Sequence, residues 1–147
     1  DNELALIGVV NYAAERWSVH AGFDDRGSEV DANGDTLHDP SYGVGGTLGV
    51  TERLGLSARV AVDGQNETDT EYYGVGVAFD YGAGDLYGAV QEVDPDQGDA
   101  RTQFAAGANY FIADNLYVYG EYGAFDAPST ATGAKDSLDE LGAIYEF

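Results

Sequence analysis

The sequence predicts an all-β protein, a single antiparallel β-barrel over residues 1–147 that crosses a membrane with its strands. Three observations predict this fold class. Apolar and polar residues alternate with a period of two in one segment after another, which indicates strands whose two faces meet different surroundings. The chain has 21 Gly and 11 Tyr, and helices tolerate glycine poorly, at about 1 kcal/mol each relative to alanine. Short connections also alternate with long ones along the chain.

Five segments alternate cleanly: 16–23, 41–50, 54–62, 72–81 and 103–110. In the first, Trp17, Val19 and Phe23 fall on one side, opposite Ser18 and His20 on the other. Four further segments are less regular: 4–12, 86–93, 116–125 and 140–147. The stretch 4–12 is apolar on both faces, and 86–93 does not show which of its faces is polar. We therefore expect about eight or nine strands.

The connections sort into two classes. Short turns are predicted at 13–15, 51–53, 82–84 and 113–115, and long acidic loops at 24–40, 63–70, 94–100 and 126–137. The long set holds all three Pro and is rich in Asp, Gly, Asn, Ser and Thr, as solvated loops are. Short turns at one end and long loops at the other are typical of barrels in the bacterial outer membrane. The predicted location is therefore integral in that membrane, with the lipid bilayer as partner.

Aromatic residues on the apolar side lie near strand ends. Several pairs on one strand are six to eight residues apart, roughly 15–20 Å along the membrane normal for tilted strands. Two aromatic belts around an apolar band are what a bilayer requires of a barrel. The predicted girdle is Tyr12, Trp17, Tyr81, Tyr110 and Phe147 beside the short turns, and Phe23, Tyr42, Tyr73, Phe104 and Tyr122 beside the long loops.

The polar side would line the interior of the barrel. Its predicted residues are Ser18, His20, Thr47, Ser57, Arg59, Asp80, Gln103, Asn109, Glu121, Glu140 and Glu146. Acidic groups outnumber basic ones there, and the whole chain has a net charge of −21. Such a wall attracts cations and repels anions, most strongly at low salt. Nucleic acid is an unsuitable partner because phosphate binding needs clustered Lys and Arg.

Two candidate sites for other chemistry are weak. Glu29, Asp31, Asn33 and Asp35 match the front of a calcium loop, but Pro40 stands where the bidentate Glu is needed. We therefore predict an acidic surface loop and no metal site. A hydrolytic triad needs converging Ser, His and acid groups, and His20 with Asp24 supplies no such set. The sequence predicts no enzyme and no cofactor.

The last third of the chain resembles the Gram-negative general porins. The resemblance rests on Gly-Ala-Asn-Tyr-Phe-Ile-Ala-Asp-Asn-Leu-Tyr-Val-Tyr-Gly-Glu-Tyr from Gly107, and on the closing Leu-Gly-Ala-Ile-Tyr-Glu-Phe. In that family the final strand ends in Phe with apolar residues at alternate positions before it, matched here by Leu141, Ala143, Tyr145 and Phe147. The resemblance implies that the barrel-assembly machinery reads this strand. Constrictions in that family set Arg against carboxylates across the lumen, and Arg59 is the clearest inward cation here. No constriction-loop motif is matched, so no residue is assigned to a constriction.

The length departs from that family, whose barrels have sixteen strands. Three explanations stay open: the chain is the C-terminal part of a larger porin, residues 1–15 are not a membrane strand and eight strands form a small barrel, or several chains pool strands. Association into a homo-oligomer also stays open. We expect passive diffusion of small hydrophilic, preferably cationic, solutes. The alternative is a structural or adhesive outer-membrane barrel with a filled lumen and no transport.

Overall fold

The computed structural model describes residues 6–25, 39–65, 68–126 and 135–145. Within these ranges every regular element is a β-strand. The strands are β1 (Ile7–Ala13), β2 (Trp17–Asp24), β3 (Ser41–Gly49), β4 (Leu54–Gln65), β5 (Thr68–Asp80), β6 (Asp85–Pro95), β7 (Arg101–Ala113), β8 (Leu116–Asp126) and β9 (Lys135–Tyr145). They confirm the all-β prediction and the nine segments. No helix in the described ranges is long and apolar enough to span a membrane.

The nine strands form one antiparallel sheet in chain order, each strand pairing with its neighbours in sequence. A meander of this kind needs only hairpin connections. β1 and β9 are the two edges of the described sheet, and no ladder joins them. The described sheet is therefore an open wall and not a closed barrel.

The four short turns lie where the sequence predicts them. Between β5 and β6, Gly82 has a positive φ of 95°, its amide donates to Asp80 Oδ1 at 2.6 Å, and Tyr81 N donates to Gly84 O at 3.0 Å. Glycine adopts this backbone conformation without the steric cost that a Cβ brings.

One predicted long loop is wrong. Residues 63–70 belong almost entirely to β4 and β5, which pair as far as Gln65 with Thr68. The loop 94–100 is likewise shorter, since β6 continues to Pro95 and β7 begins at Arg101. Here both faces of the hairpin carry polar residues, so the two-residue alternation disappears while the backbone ladder continues. Polarity on both faces, and not a break in the strands, misled the loop prediction.

The sheet has two unlike faces. Residues directly opposite each other in an antiparallel ladder point to the same side. The register therefore puts Trp17, Leu48, Leu56, Val77 and Gly88 together on one side, which we call the apolar face. The opposite side, called the polar face, carries the row Ser18, Thr47 and Ser57.

The described sheet has almost no buried core. Val93, 3% exposed, is the single buried apolar side chain in the described ranges, while Val75 is 62% and Val44 57% exposed. Water-soluble monomers rarely expose apolar patches beyond a few hundred Å². The apolar face instead fits a bilayer, where lipid replaces a packed core.

Candidate functional site: the polar face of the sheet

The polar face gathers the predicted interior residues that the structure describes. The register places Ser18, His20, Thr47, Ser57, Arg59, Asp80, Gln103, Asn109, Glu121 and Glu140 on it. Glu146 lies outside the described residues. That these side chains line a pore stays a prediction, because a shared face does not by itself make a channel.

Asp80 and Asn109 lie at the short-turn end of this face and hold the backbone there. Asp80 accepts the amide of Gly82, and Asn109 Oδ1 accepts the amide of Asp85 at 2.7 Å. Asn109 Nδ2 also donates to Asp85 Oδ2 at 3.2 Å. Both residues therefore contribute to turn structure as well as to the polarity of the face.

Two carboxylates stand directly opposite each other on adjacent strands. Glu121 of β8 pairs in register with Glu140 of β9. Like charges in this position repel, yet each has a tyrosine donor: the Tyr87 hydroxyl donates to Glu121, and the Tyr119 hydroxyl donates to Glu140 Oε1 at 2.6 Å. Neutral donors stabilise the carboxylates without cancelling their charge, so this corner of the polar face is strongly negative.

The clearest cation on the face lies elsewhere, on β4. Arg59 donates through Nη2 to Gln91 Oε1, and Gln91 Nε2 donates to Gln103 Oε1 at 3.3 Å. The chain of contacts runs from β4 over β5 to β6 and β7. The face therefore carries a guanidinium on β4 and, at a distance from it, the paired carboxylates of β8 and β9.

The sequence did not single out four residues of this face: Tyr72, Tyr87, Gln91 and Tyr119. Tyr87 and Gln91 lie in the segment 86–93, whose orientation the alternation left open. The ladders settle it by pairing Gln91 with Gly74 and Gln103. In the sequence, Tyr87 and Gln91 stand at alternate positions, as residues of one face of a strand do. Glu92 is polar but lies on the opposite face, so the sequence does not show which face of this strand is polar.

The residues predicted as an aromatic girdle lie mainly on the apolar face; that they stand at the two membrane interfaces stays a prediction. Nine predicted members are described, and all are exposed: Tyr12, Trp17, Phe23, Tyr42, Tyr73, Tyr81, Phe104, Tyr110 and Tyr122. Eight of them lie in the ladders on the apolar face, and Tyr81 follows the end of β5. Tyr12 and Trp17 meet at the short-turn end with ring centroids 5.3 Å apart, and Phe104 and Tyr122 meet toward the long loops at 6.3 Å. The tenth predicted member, Phe147, lies outside the described residues.

Acidic residues mark one border of the apolar band. Glu92 pairs with Tyr73, and Glu71 pairs with Asp94, all on the apolar face near the ends of β5 and β6. The Tyr73 hydroxyl donates to Glu71. A carboxylate is costly at the depth of the hydrocarbon, so we expect the water boundary at the level of Tyr73, which Glu92 faces in the ladder.

No described residues gather as a metal site: sets of three or more His, Asp or Glu side chains are absent from these ranges. The calcium-loop candidate Glu29, Asp31, Asn33 and Asp35 falls outside the described residues.

Comparison with known proteins agrees with this architecture. The chain is 29% identical over 155 residues to a monosaccharide porin of Halomonas sp and, to the same extent, to the major outer membrane protein of Halomonas elongata. The match covers 83% of this chain and 42% of each relative. The chain therefore spans less than half the length of the curated relatives it matches.

Solved structures show the same fold. The loop-L8 deletion mutant of OmpT, an outer membrane protein of Vibrio cholerae, superposes with a TM-score of 0.64 at 20% identity, over 93% of this chain and 51% of the other. In-vitro folded OmpT gives a TM-score of 0.57 at 21% identity, over 93% and 53%. The family profile of Gram-negative porins matches residues 3–131. The chain belongs to the Gram-negative porin family, and its place is in the outer membrane.

Proposed function

We propose that this chain forms part of the wall of a diffusion channel for small hydrophilic solutes, with a preference for cations. The observation that carries the proposal is the division of one sheet into an exposed apolar face and a face whose central strands, β2 to β8, carry mainly polar residues and glycine. With lipid against the apolar face, the polar face is the one that contacts water. Nothing in this function requires a catalytic group or a cofactor.

The preference for cations rests on the Glu121–Glu140 pair. The described partners of both carboxylates are tyrosine hydroxyls, so their charge is available to passing ions. A field of this sign enriches cations and depletes anions near the wall. The net charge of −21 acts in the same direction.

The two unpaired edges of the described sheet, β1 and β9, indicate the size of the barrel to which it belongs. Unpaired strand edges are not tolerated within the hydrocarbon, because their N–H and C=O groups would lack partners. We propose that β1 and β9 pair with further strands, so that these nine form one section of a larger barrel. Relatives more than twice as long support this reading.

Planar-bilayer recording tests the proposal on protein purified in detergent from outer membranes. We expect stepwise conductance and, across a KCl gradient, a reversal potential of the sign that K⁺ permeation gives. Absence of conductance above leak from protein that is folded, as shown by heat-modifiable gel mobility, would support the filled structural barrel instead. A reversal potential of the Cl⁻ sign would overturn the preference for cations.

A further inference from the structure

A depression of about 220 Å³ lies in the wall between β2 and β6, lined mainly by residues of the polar face. Its polar lining consists of His20, Thr47, Ser57, Arg59 and Gln91. No described carboxylate lines it, although carboxylates dominate the chain as a whole. The depression is therefore a local exception to the acidic character of the protein.

The charge of Arg59 is available in this depression. Its described side-chain partner is the neutral amide oxygen of Gln91, which occupies one of its nitrogens. A guanidinium carries five N–H donors in a planar fork, and carboxylate oxygens match that fork. Fixed by Gln91 on one side, the guanidinium can accept a carboxylate on the other.

The rest of the lining suits a hydroxylated ring. Thr47 and Ser57 are ladder partners. The Thr47 hydroxyl lies 2.8 Å from Ser18 Oγ, and a hydroxyl that shares one hydrogen bond keeps a further lone pair for a ligand. Ala89 presents a methyl group to the depression, while Gly74 and Gly76 lie beneath the side chains of Arg59 and Ser57 and let these side chains lie close to the sheet. A sugar has this same combination, with hydroxyls at its rim and C–H groups on its ring faces.

From these observations we propose that the depression is a subsite for a monosaccharide-sized sugar acid. Its single carboxylate lies on Arg59, its hydroxyls contact Gln91, Thr47 and Ser57, and its ring lies over the methyl group of Ala89. The inference rests on the proposed function only in taking the polar face as the side that solutes reach. An anionic ligand on Arg59 is compatible with a channel that prefers cations. The subsite is one local contact, whereas the preference for cations comes from the summed charge of the wall.

Equilibrium binding to the detergent-folded protein tests the proposal with D-glucuronate and D-glucose as probes, followed by saturation-transfer NMR and calorimetry. We expect glucuronate to bind at least tenfold more tightly than glucose. Arg59→Gln should weaken glucuronate binding about tenfold or more, as loss of a charge-assisted hydrogen bond does. The matched control is Arg101→Gln, which removes the same charge from the same face outside the depression and should leave binding unchanged.

Three results would overturn the subsite: glucuronate binding that survives Arg59→Gln, equal weakening by Arg101→Gln, or equal affinity for the two probes. Should Arg59→Gln not fold, Ser57→Ala provides the test, because Ser57 lies beside Arg59 on the same face of β4 and also lines the depression. It should weaken glucuronate binding severalfold, and unchanged binding to the folded variant would contradict the assignment. Because binding needs no conductance, failure here is distinct from failure to record a channel.

Discussion

The ring of Tyr87 lies over Gly107, its ladder partner on the next strand, so closely that a Cβ on Gly107 would be 2.5 Å from the ring. The same relationship recurs on the polar face. A Cβ would be 2.5 Å from the imidazole of His20 at Gly45, 3.2 Å from Cγ of Arg59 at Gly74, and 2.5 Å from the Tyr119 ring at Gly142. Each large side chain leans toward a glycine on the following strand. Glycine thus makes room for four large side chains of the polar face, which accounts for part of the glycine content of the strands.

Replacing Gly107 with a larger residue should destabilise the sheet. In Gly107→Ala the added methyl group must displace the Tyr87 ring, and overpacking of this kind costs about 1–3 kcal/mol. Denaturant unfolding from lipid vesicles, followed through the fluorescence of Trp17, the sole tryptophan, measures the loss. Gly55→Ala is the control because a Cβ on Gly55 would meet nothing within 4 Å, and we expect a change within about 0.5 kcal/mol.

The double variant Tyr87→Ala/Gly107→Ala separates this contact from general effects of alanine. If the ring causes the strain, the two substitutions together should cost less than the sum of the single ones. Strict additivity would show that Gly107 is needed for another reason.

A lysine on the apolar face should be far costlier than one on the polar face. Val77 of β5 lies midway in sequence between Tyr73 and Tyr81, two predicted girdle residues, so we expect it near the middle of the hydrocarbon. Val77→Lys should lower the free energy of unfolding by about 2–4 kcal/mol. The neighbouring Ala78→Lys places the same side chain on the polar face and should cost about 1 kcal/mol or less. Equal losses in vesicle-based unfolding would contradict the assignment of faces.

The alternation of residues made most of this fold predictable. Wherever one face meets lipid and the other water, as in β2 to β5, the period of two identifies both the strand and its orientation. Prediction failed where that contrast is missing. The end of the β4–β5 hairpin carries polar residues on both faces, so the alternation does not show that the strands continue there. In β6, Glu92 lies on the apolar face, so the alternation does not show which face of that strand is apolar.

The contacts within the polar face were less predictable than its membership. Alternation placed Arg59 and Glu121 on the face, but partners on other strands depend on the register. The register brings Gln91 beside Arg59 and Tyr87 beside Glu121, across 32 and 34 residues of sequence. No local pattern encodes a pairing at that separation.

Removing the paired carboxylates should reduce selectivity for cations. A monovalent ion about 7 Å from one carboxylate in water gains roughly 0.6 kcal/mol, which is about a threefold local enrichment. Glu121→Gln/Glu140→Gln should therefore lower the K⁺/Cl⁻ permeability ratio about threefold or more at low salt, and less at 1 M, where the Debye length is about 3 Å. Reversal potentials across KCl gradients give the ratio.

The matched control for that experiment is Glu71→Gln/Glu92→Gln, which removes the same charge from the apolar face of the sheet. We expect a much smaller change, because these carboxylates point away from the proposed lumen. If both double variants shift the reversal potential equally, net charge and not the lumen wall determines selectivity.

Cysteine labelling tests the orientation of the wall in a native-like bilayer. The chain has no cysteine, so each introduced thiol is the only reactive one. Leu56 and Ser57 are consecutive residues of β4 that the register assigns to opposite faces. In lipid vesicles, Ser57→Cys should react with a water-soluble maleimide and Leu56→Cys should not, because hydrocarbon excludes both the reagent and the thiolate that it needs. Labelling both variants in denaturant gives the full-reaction reference, and rapid labelling of Leu56→Cys in intact vesicles would show that water, and not lipid, covers the apolar face.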